Sequence, residues 1–302
     1  MILKNLIYFY FIHSGIYPKL DRFLGFHFEK KGFKNKNGYR LKIKKPITFN
    51  EKVVFKKLFD RNPLLYQTAD KQNIKILLKE KFGNKFAENH LIPTLFSGND
   101  LEKIPFHSLP PEFIIKGCHL SGYNLIVTKN SNLSNEKNLN HCQFLLLLDI
   151  SKYTHEWLYG MIPKNIIIEP LIRDETGKIP QDYKFFCFGG KVKMFNVDFG
   201  RFNFMKRSLF DRNGNFIEGK IKCPEGEKSH GIKNLNEIIA FVESLCLGLD
   251  FVRVDIYIVK NIPIFGELTH YPGGGWSKIT PFELDTKLGK FWDLNYVKKS
   301  LY

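Results

Sequence analysis

FVRVDIYIVKNIPIFGELTHYPGGG, residues 251–275, decides the fold. Phe251–Ile258 and Ile262–Leu268 read as two strands joined by a short loop. Val252, Val254, Ile256 and Ile258 share one face of the first strand, and Phe251, Arg253, Asp255 and Tyr257 share the other. Glu267 and Thr269 share a face of the second strand. A cation and a carboxylate set mid-strand among β-branched residues cost free energy unless both find partners. An odd-numbered loop such as Val259–Asn261 would set Glu267 opposite Arg253 and diagonal to Asp255. Opposed side chains are then about 5 Å apart. Two carboxylates that close repel and call for a cation between them. Ligation by oxygens alone, with open positions, suits Mg²⁺, which takes one or two carboxylates plus substrate phosphates. The pattern equally allows a structural Arg–Asp–Glu network.

Outward toward the N-terminus, Phe113–Lys116 is a strand closed by a lysine, and it runs into Gly117-Cys118-His119-Leu120-Ser121-Gly122. Asn124–Thr128 is the returning strand. A lysine beside a glycine-rich turn offers positive charge and accessible backbone N–H groups, which a polyphosphate needs. A plain hairpin turn has the same composition. His119 and Ser121 lack a partnering acid and a nucleophile elbow, so a hydrolase dyad is not the reading. Ile166–Ile168 is a buried strand ending at Glu169, and Lys184–Phe188 with Val192–Phe199 is a hairpin around Gly189-Gly190. Lys206 and Arg207 fall between strands, within reach of phosphate or an acidic substrate, or on a solvated loop. Gly273 to Gly275 let a backbone approach a ligand or simply make a turn. Trp276 follows them as core or as a wall of an acceptor site; Trp157 and Trp292 read as core.

The rest is mainly helical. Thr48 or Asn50 caps a helix that opens at Glu51 and repeats Val54, Phe55, Leu58 and Phe59 at helical spacing. Asp60–Pro63 stops it, a second helix runs from Leu65 to Glu80, and Leu235–Leu247 is a third. Residues 1–45 read as a short apolar helix followed by turns. They dock on the main body, with interfacial membrane anchoring through Leu6–Ile12 and the following basic residues as the alternative.

In 302 residues there are 46 Lys+Arg against 30 Asp+Glu, a net +16, with 43% apolar residues. That is enough for a sizeable core and excludes a disordered chain. Leu6–Ile12 is too short to span a bilayer, which takes about 20 residues, and no cleavage site follows it. The five cysteines are scattered, as expected for small buried hydrophobes in a cytoplasmic protein. The lysines are spread along the chain, and the runs Lys30–Lys36 and Leu41–Lys45 read first as solvated faces. No nucleic-acid partner is expected.

Taken together the chain resembles the ATP-grasp ligases, and among them the teichuronopeptide-biosynthesis-like subfamily, over roughly Pro46 to Leu294. The marks are TFNEK at 48–52, DRNPL at 60–64, ADK at 69–71, IIKGCHLSG at 114–122, DYKFFCFGG at 182–190, FVRVDIY at 251–257 and FGELTHYPGGG at 265–275. The resemblance implies an α+β fold in which two α+β lobes grip ATP, with a helical N-terminal extension. Its segments would be 1–45, a helical region 46–111, a lid subdomain 112–168 and a catalytic subdomain 169–302.

Carried over by position, Lys116 contacts the α- and β-phosphates, and Gly117, Ser121 and Gly122 belong to the lid over them. Glu169 marks the hinge where adenine meets backbone groups. Asp182 is a ribose-binding acid and Lys184 a further phosphate contact. Arg253 faces the transferring phosphoryl group, Asp255 and Glu267 hold magnesium, and Thr269 stands where relatives carry an Asn ligand. Lys206, Arg207, His270, Gly273, Gly274 and Trp276 are the substrate candidates. Two departures are Leu120, where relatives usually carry Gly, and His270, where they usually have an aromatic.

The implied reaction is amide formation through an acyl phosphate, with ATP and Mg²⁺ as cofactors. Its partners are an acidic sugar or polysaccharide precursor and an amine or amino acid, in decoration of a capsule or cell wall. The site of action would be the cytoplasm, at the inner membrane face if residues 1–45 anchor. Two rivals stand beside it. A glycosyltransferase of the same pathway often has two aspartates separated by one residue, and Asp255 lies between Val254 and Ile256 instead. A non-catalytic polyanion-binding protein would lose its ligand steeply with salt.

Overall fold

The computed structural model describes residues 14–131, 134–200 and 204–294, so the run Leu6–Ile12 lies outside the described residues. The chain forms two compact units, one of Met1–Lys19 with Pro63–Ile179, the other of Leu20–Asn62 with Pro180–Tyr302. These cut across the segments read from the sequence. The 46–111 region is divided: the helix Phe49–Phe59 buries its apolar face on the C-terminal sheet, and the residues from Pro63 on belong to the other unit.

In the unit containing Pro63–Ile179, four strands pair antiparallel: β1 (Phe96–Gly98), β2 (Phe113–Gly117), β3 (Leu125–Val127) and β4 (Ile166–Pro170), in the order β1-β4-β2-β3. Alternation decides which side is covered. Phe113, Ile115, Ile166, Ile168 and Val127 enter one core with Leu120, Ile150, and Cys142 and Leu145 of the helix Asn135–Leu147. Ile114, Lys116, Ile167 and Glu169 occupy the other face. The single helix expected over Leu65–Glu80 is two, Leu64–Ala69 and Asn73–Phe82. The break is made by Asp70, whose Oδ1 accepts the Gln72 and Asn73 N–H groups at 2.9 and 3.2 Å and so caps the second helix.

The second unit holds a six-stranded antiparallel sheet of β5 (Asp182–Phe188), β6 (Lys191–Phe199), β7 (Lys206–Asp211), β8 (Phe216–Ile217), β10 (Phe251–Val259) and β11 (Ile262–Thr269). Its order is β11-β10-β5-β6-β7-β8, and a small pair, β9 (Lys220–Ile221) and β12 (Ile279–Thr280), stands apart. Lys206 and Arg207 therefore open a strand rather than lying on a loop between strands. On one face Leu268, Val254, Phe185, Phe195 and Phe210 line up in register. The Phe185–Phe195 and Phe195–Phe210 rings stack at 5.0 and 5.3 Å. The helix Leu235–Ser244 buries Ile238, Ile239 and Val242.

The opposite face is apolar at one end, where Phe251, Phe186 and Phe188 meet Phe49. Trp292 stacks on Phe251 at 4.4 Å. Thr48 begins the Phe49–Phe59 helix with a capping box: its Oγ1 accepts the Glu51 N–H at 3.1 Å and the Glu51 carboxylate accepts the Thr48 N–H at 3.1 Å. Residues 27–37, expected as turns, are a helix (His27–Asn37). Asp21 starts it by accepting the Phe28 and Glu29 N–H groups at 2.6 and 3.1 Å, and Phe33 packs it on Val54 and Leu58.

Candidate active site

The charged end of that sheet face is built by a register shift. Lys260 and Asn261, both left-handed at φ 51° and 61°, make a two-residue turn that closes on the pair Val259–Ile262. Continued without a break, this register would set Asp255 against Gly266. A bulge takes up Gly266, so that Asp255 faces Glu267 and Arg253 faces Thr269. This corrects the expected loop length and pairing: Glu267 is directly opposite Asp255, not diagonal to it. Gly266 is required for the close approach, since a Cβ there would lie 2.9 Å from the Asp255 carbonyl oxygen.

Arg253 grips Asp255 through two bonds of 2.6 Å, from Nε to Oδ1 and from Nη2 to Oδ2. Its Nη2 also donates to Thr269 Oγ1 at 3.0 Å and stands 3.6 Å from Glu267 Oε1. Thr269 Oγ1 in turn donates to Glu267 at 3.2 Å. From β5, Lys184 places Nζ 3.2 Å from Asp255, 3.5 Å from Asp182 and 3.8 Å from Asp198. Arg207 holds Asp198 through bonds of 2.5 and 2.7 Å.

Among the described residues, Arg253, Lys184 and Arg207 thus stand against Asp255, Glu267, Asp182 and Asp198. Burial disfavours the Asp255 carboxylate, but Arg253 and Lys184 outweigh it and hold its pKa below the usual range. Burial likewise opposes the charge on Arg253 and Lys184, yet the facing carboxylates raise both pKa values.

Hard oxygens are the only donors at the Asp255–Glu267–Thr269 edge, and the Glu267 side chain is 43% exposed. Among the described residues no three His, Cys, Asp or Glu gather to enclose a metal. Asp255 is buried and held by Arg253 and Lys184 while Glu267 opens to solvent, and such a pair of carboxylates fits Mg²⁺ that is also held by phosphates.

In the other unit Glu169 is 3% exposed and bridges two lysines. Lys116 Nζ lies 2.6 Å from its Oε2. Lys75, from the helix Asn73–Phe82, pairs with Oε1 and donates to the Ile92 carbonyl at 2.8 Å and to Thr94 Oγ1 at 3.2 Å. The strand runs on to Pro170, so Glu169 does not end it. Burial pushes the Glu169 pKa up, and the two lysines more than reverse this, holding it below the ordinary value. Lys75 is shifted down by burial, against the pull of Glu169.

The turn after Lys116 is half anchored. Leu120 is fully buried in the core, and a Cβ on Gly117 would lie 2.7 Å from Leu120 Cδ1, so the two residues require each other. Lys71 donates to the Gly117 carbonyl at 3.2 Å and to that of Leu120. Ser121 and Gly122 are exposed. His119 is buried, with Nε2 3.2 Å from the Leu148 carbonyl, so it and Ser121 do not form a dyad.

Of the remaining candidates, Asp182 and His270 are buried and Lys206 is exposed. Gly273 and Gly274 lie in the tight turn Pro272–Gly275. Lys57 donates to the Gly274 carbonyl at 2.9 Å, and Trp276 Nε1 donates to Glu29 at 2.6 Å. Trp276 is therefore packed against the His27–Asn37 helix. The sequence reading missed Lys71, Lys75 and Asp198. Asp198 carries the signal that marked Asp255, an acid mid-strand among apolar residues; Lys75 has none, being one lysine of an ordinary polar helix face.

The TupA-like ATPgrasp family model matches residues 51–292. No curated protein matches the chain. Among solved structures, D-alanine–D-alanine ligase from Bacillus anthracis complexed with ATP is similar at 15% identity and a TM-score of 0.48, covering 78% of this chain and 68% of that one. The ligase PsnB complexed with a phosphomimetic variant of its minimal precursor, Mg and ADP has 12% identity and a TM-score of 0.39, covering 71% and 52%. The ADP complex of purK, N5-carboxyaminoimidazole ribonucleotide synthetase, has 10% identity and a TM-score of 0.41, covering 69% and 46%. The chain spans about half the length of the last two. The family match extends over most of the sequence, and the chain belongs to the TupA-like ATP-grasp family.

Proposed function

We propose that the chain is an ADP-forming ligase that joins the carboxylate of a uronic acid, or of an amino acid attached to a sugar, to an amine during surface-polysaccharide assembly. The observation that carries the ligase chemistry is the Asp255–Glu267 pair with Arg253 between them. The TupA-like description of the family and the net charge of +16 support an acidic, teichuronopeptide-type acceptor.

In the first step a carboxylate oxygen attacks the γ-phosphorus, the bond to the β–γ bridging oxygen breaks, and ADP leaves. In the second an amine nitrogen attacks the acyl carbon, phosphate departs, and the nitrogen gives up a proton. Such transfer depends on positioning and charge neutralisation. Asp255 and Glu267, with Thr269 beside them, would hold magnesium, which would supply positive charge against the phosphates. Lys116 neutralises the α- and β-phosphates, Lys184 gives a further contact and Asp182 takes the ribose. Arg253 uses Nε and Nη2 on Asp255 and Thr269, which leaves Nη1 for the transferring phosphoryl group. Ser121 and Gly122 cover the phosphates and exclude water that would hydrolyse the acyl phosphate. The five buried free cysteines agree with a cytoplasmic site of action.

The test is a screen for ADP release across uronic acids and amino acids, paired with amine donors, and a mass measurement of each product. The reading expects ADP, phosphate and a product lighter by one water than its two substrates. Release of a nucleoside diphosphate from a sugar nucleotide without ATP would contradict it.

A further inference from the structure

Half of the chain's net charge sits in 24 residues. Between Arg22 and Lys45 there are nine Lys and Arg against a single acid, Glu29. That acid faces inward, 2% exposed, and accepts from Lys57 at 2.8 Å and from Trp276 at 2.6 Å. Asp21, just before the stretch, is buried as the cap of the His27–Asn37 helix. All nine cations are exposed, so this surface displays no carboxylate of its own. Among them stand Phe23 at 86% exposure, Leu24 at 45% and Phe28 at 37%. Phe28 and Lys31, three apart on the helix, are neighbours on the flank away from the buried Glu29, Phe33 and Asn37.

We infer that Arg22–Lys45 is a docking surface for an anionic phospholipid bilayer. Lysines near such a surface each strengthen binding by about fivefold, and apolar side chains projecting from a basic ring bury in the headgroup–acyl boundary. A soluble polyanion would engage the lysines but leave Phe23 and Leu24 in water. The helix that meets the bilayer holds Trp276 on its inner flank, so Gly274–Trp276 lies roughly one helix diameter, about 10 Å, from the lipid.

The test is cosedimentation of the full chain, without nucleotide, with vesicles of phosphatidylglycerol and phosphatidylcholine or of phosphatidylcholine alone. Binding to the anionic vesicles at least tenfold tighter is expected, with Phe23→Ser/Leu24→Ser and Lys31→Glu/Lys34→Glu each losing at least tenfold while melting as the parent does. A Phe23→Trp variant should be quenched by brominated lipid. No binding by the parent, full binding by the Phe23→Ser/Leu24→Ser variant, or no quenching would each overturn the proposal. Because no substrate is present, the outcome is independent of the ligase reading.

Discussion

Glu169 and Asp255 show how a carboxylate stays charged inside this protein: each is flanked by two cations within bonding distance, which outweighs the penalty of burial. The consequence for Glu169 has a definite sign. Its folded pKa lies below its unfolded one, so the stability it contributes is present above the ordinary carboxyl range and is lost as pH falls through the depressed value. Burial raises the Asp70 and Asp285 pKa values and works in the opposite sense, so the informative comparison is with a variant. Glu169→Gln should lose less stability than the parent between pH ~5 and ~3 in urea denaturation; parallel acid limbs would refute the assignment. Lys116 carries the complementary prediction. Lys116→Ala removes one charged contact to phosphate, worth about tenfold in ATP affinity, and calorimetry showing equal affinity would reject that role.

At the scale of elements, β10 and β11 were legible almost to the residue because both are short apolar runs bounded by turn residues, yet their register was not. Register depended on a two-residue left-handed turn and on one bulge, and the only trace of the bulge in the sequence is a glycine inside a strand. Gly266→Ala tests the device. The new Cβ collides with the Asp255 carbonyl, so a loss of roughly 1–3 kcal/mol in unfolding free energy is expected. ADP formation should fall as well, since Glu267 loses its place opposite Asp255. Unchanged stability and activity would show that the bulge does not set the site. The helix after Pro63 was misjudged for a comparable reason: Asp70 caps a second helix in the middle of a continuous polar–apolar pattern.

For the whole molecule, the fold class was readable, while the partners of the candidate site residues were not. Lys75 reaches Glu169 across 94 positions and Lys184 reaches Asp255 across 71, distances over which composition carries no signal. The packing of the Phe49–Phe59 helix was hidden likewise, because it joins a sheet formed by residues more than a hundred positions later. What the sequence did mark was Arg253 and Asp255 on β10 and Glu267 on β11, and the metal reading of the Asp255–Glu267 edge rests on those. The most direct test is calorimetric titration of ATP with and without Mg²⁺ into the parent, Asp255→Asn and Glu267→Gln. The account predicts that Mg²⁺ tightens ATP binding to the parent, and that this gain disappears in both variants while metal-free affinity persists. An equal Mg²⁺ effect in all three proteins would contradict it.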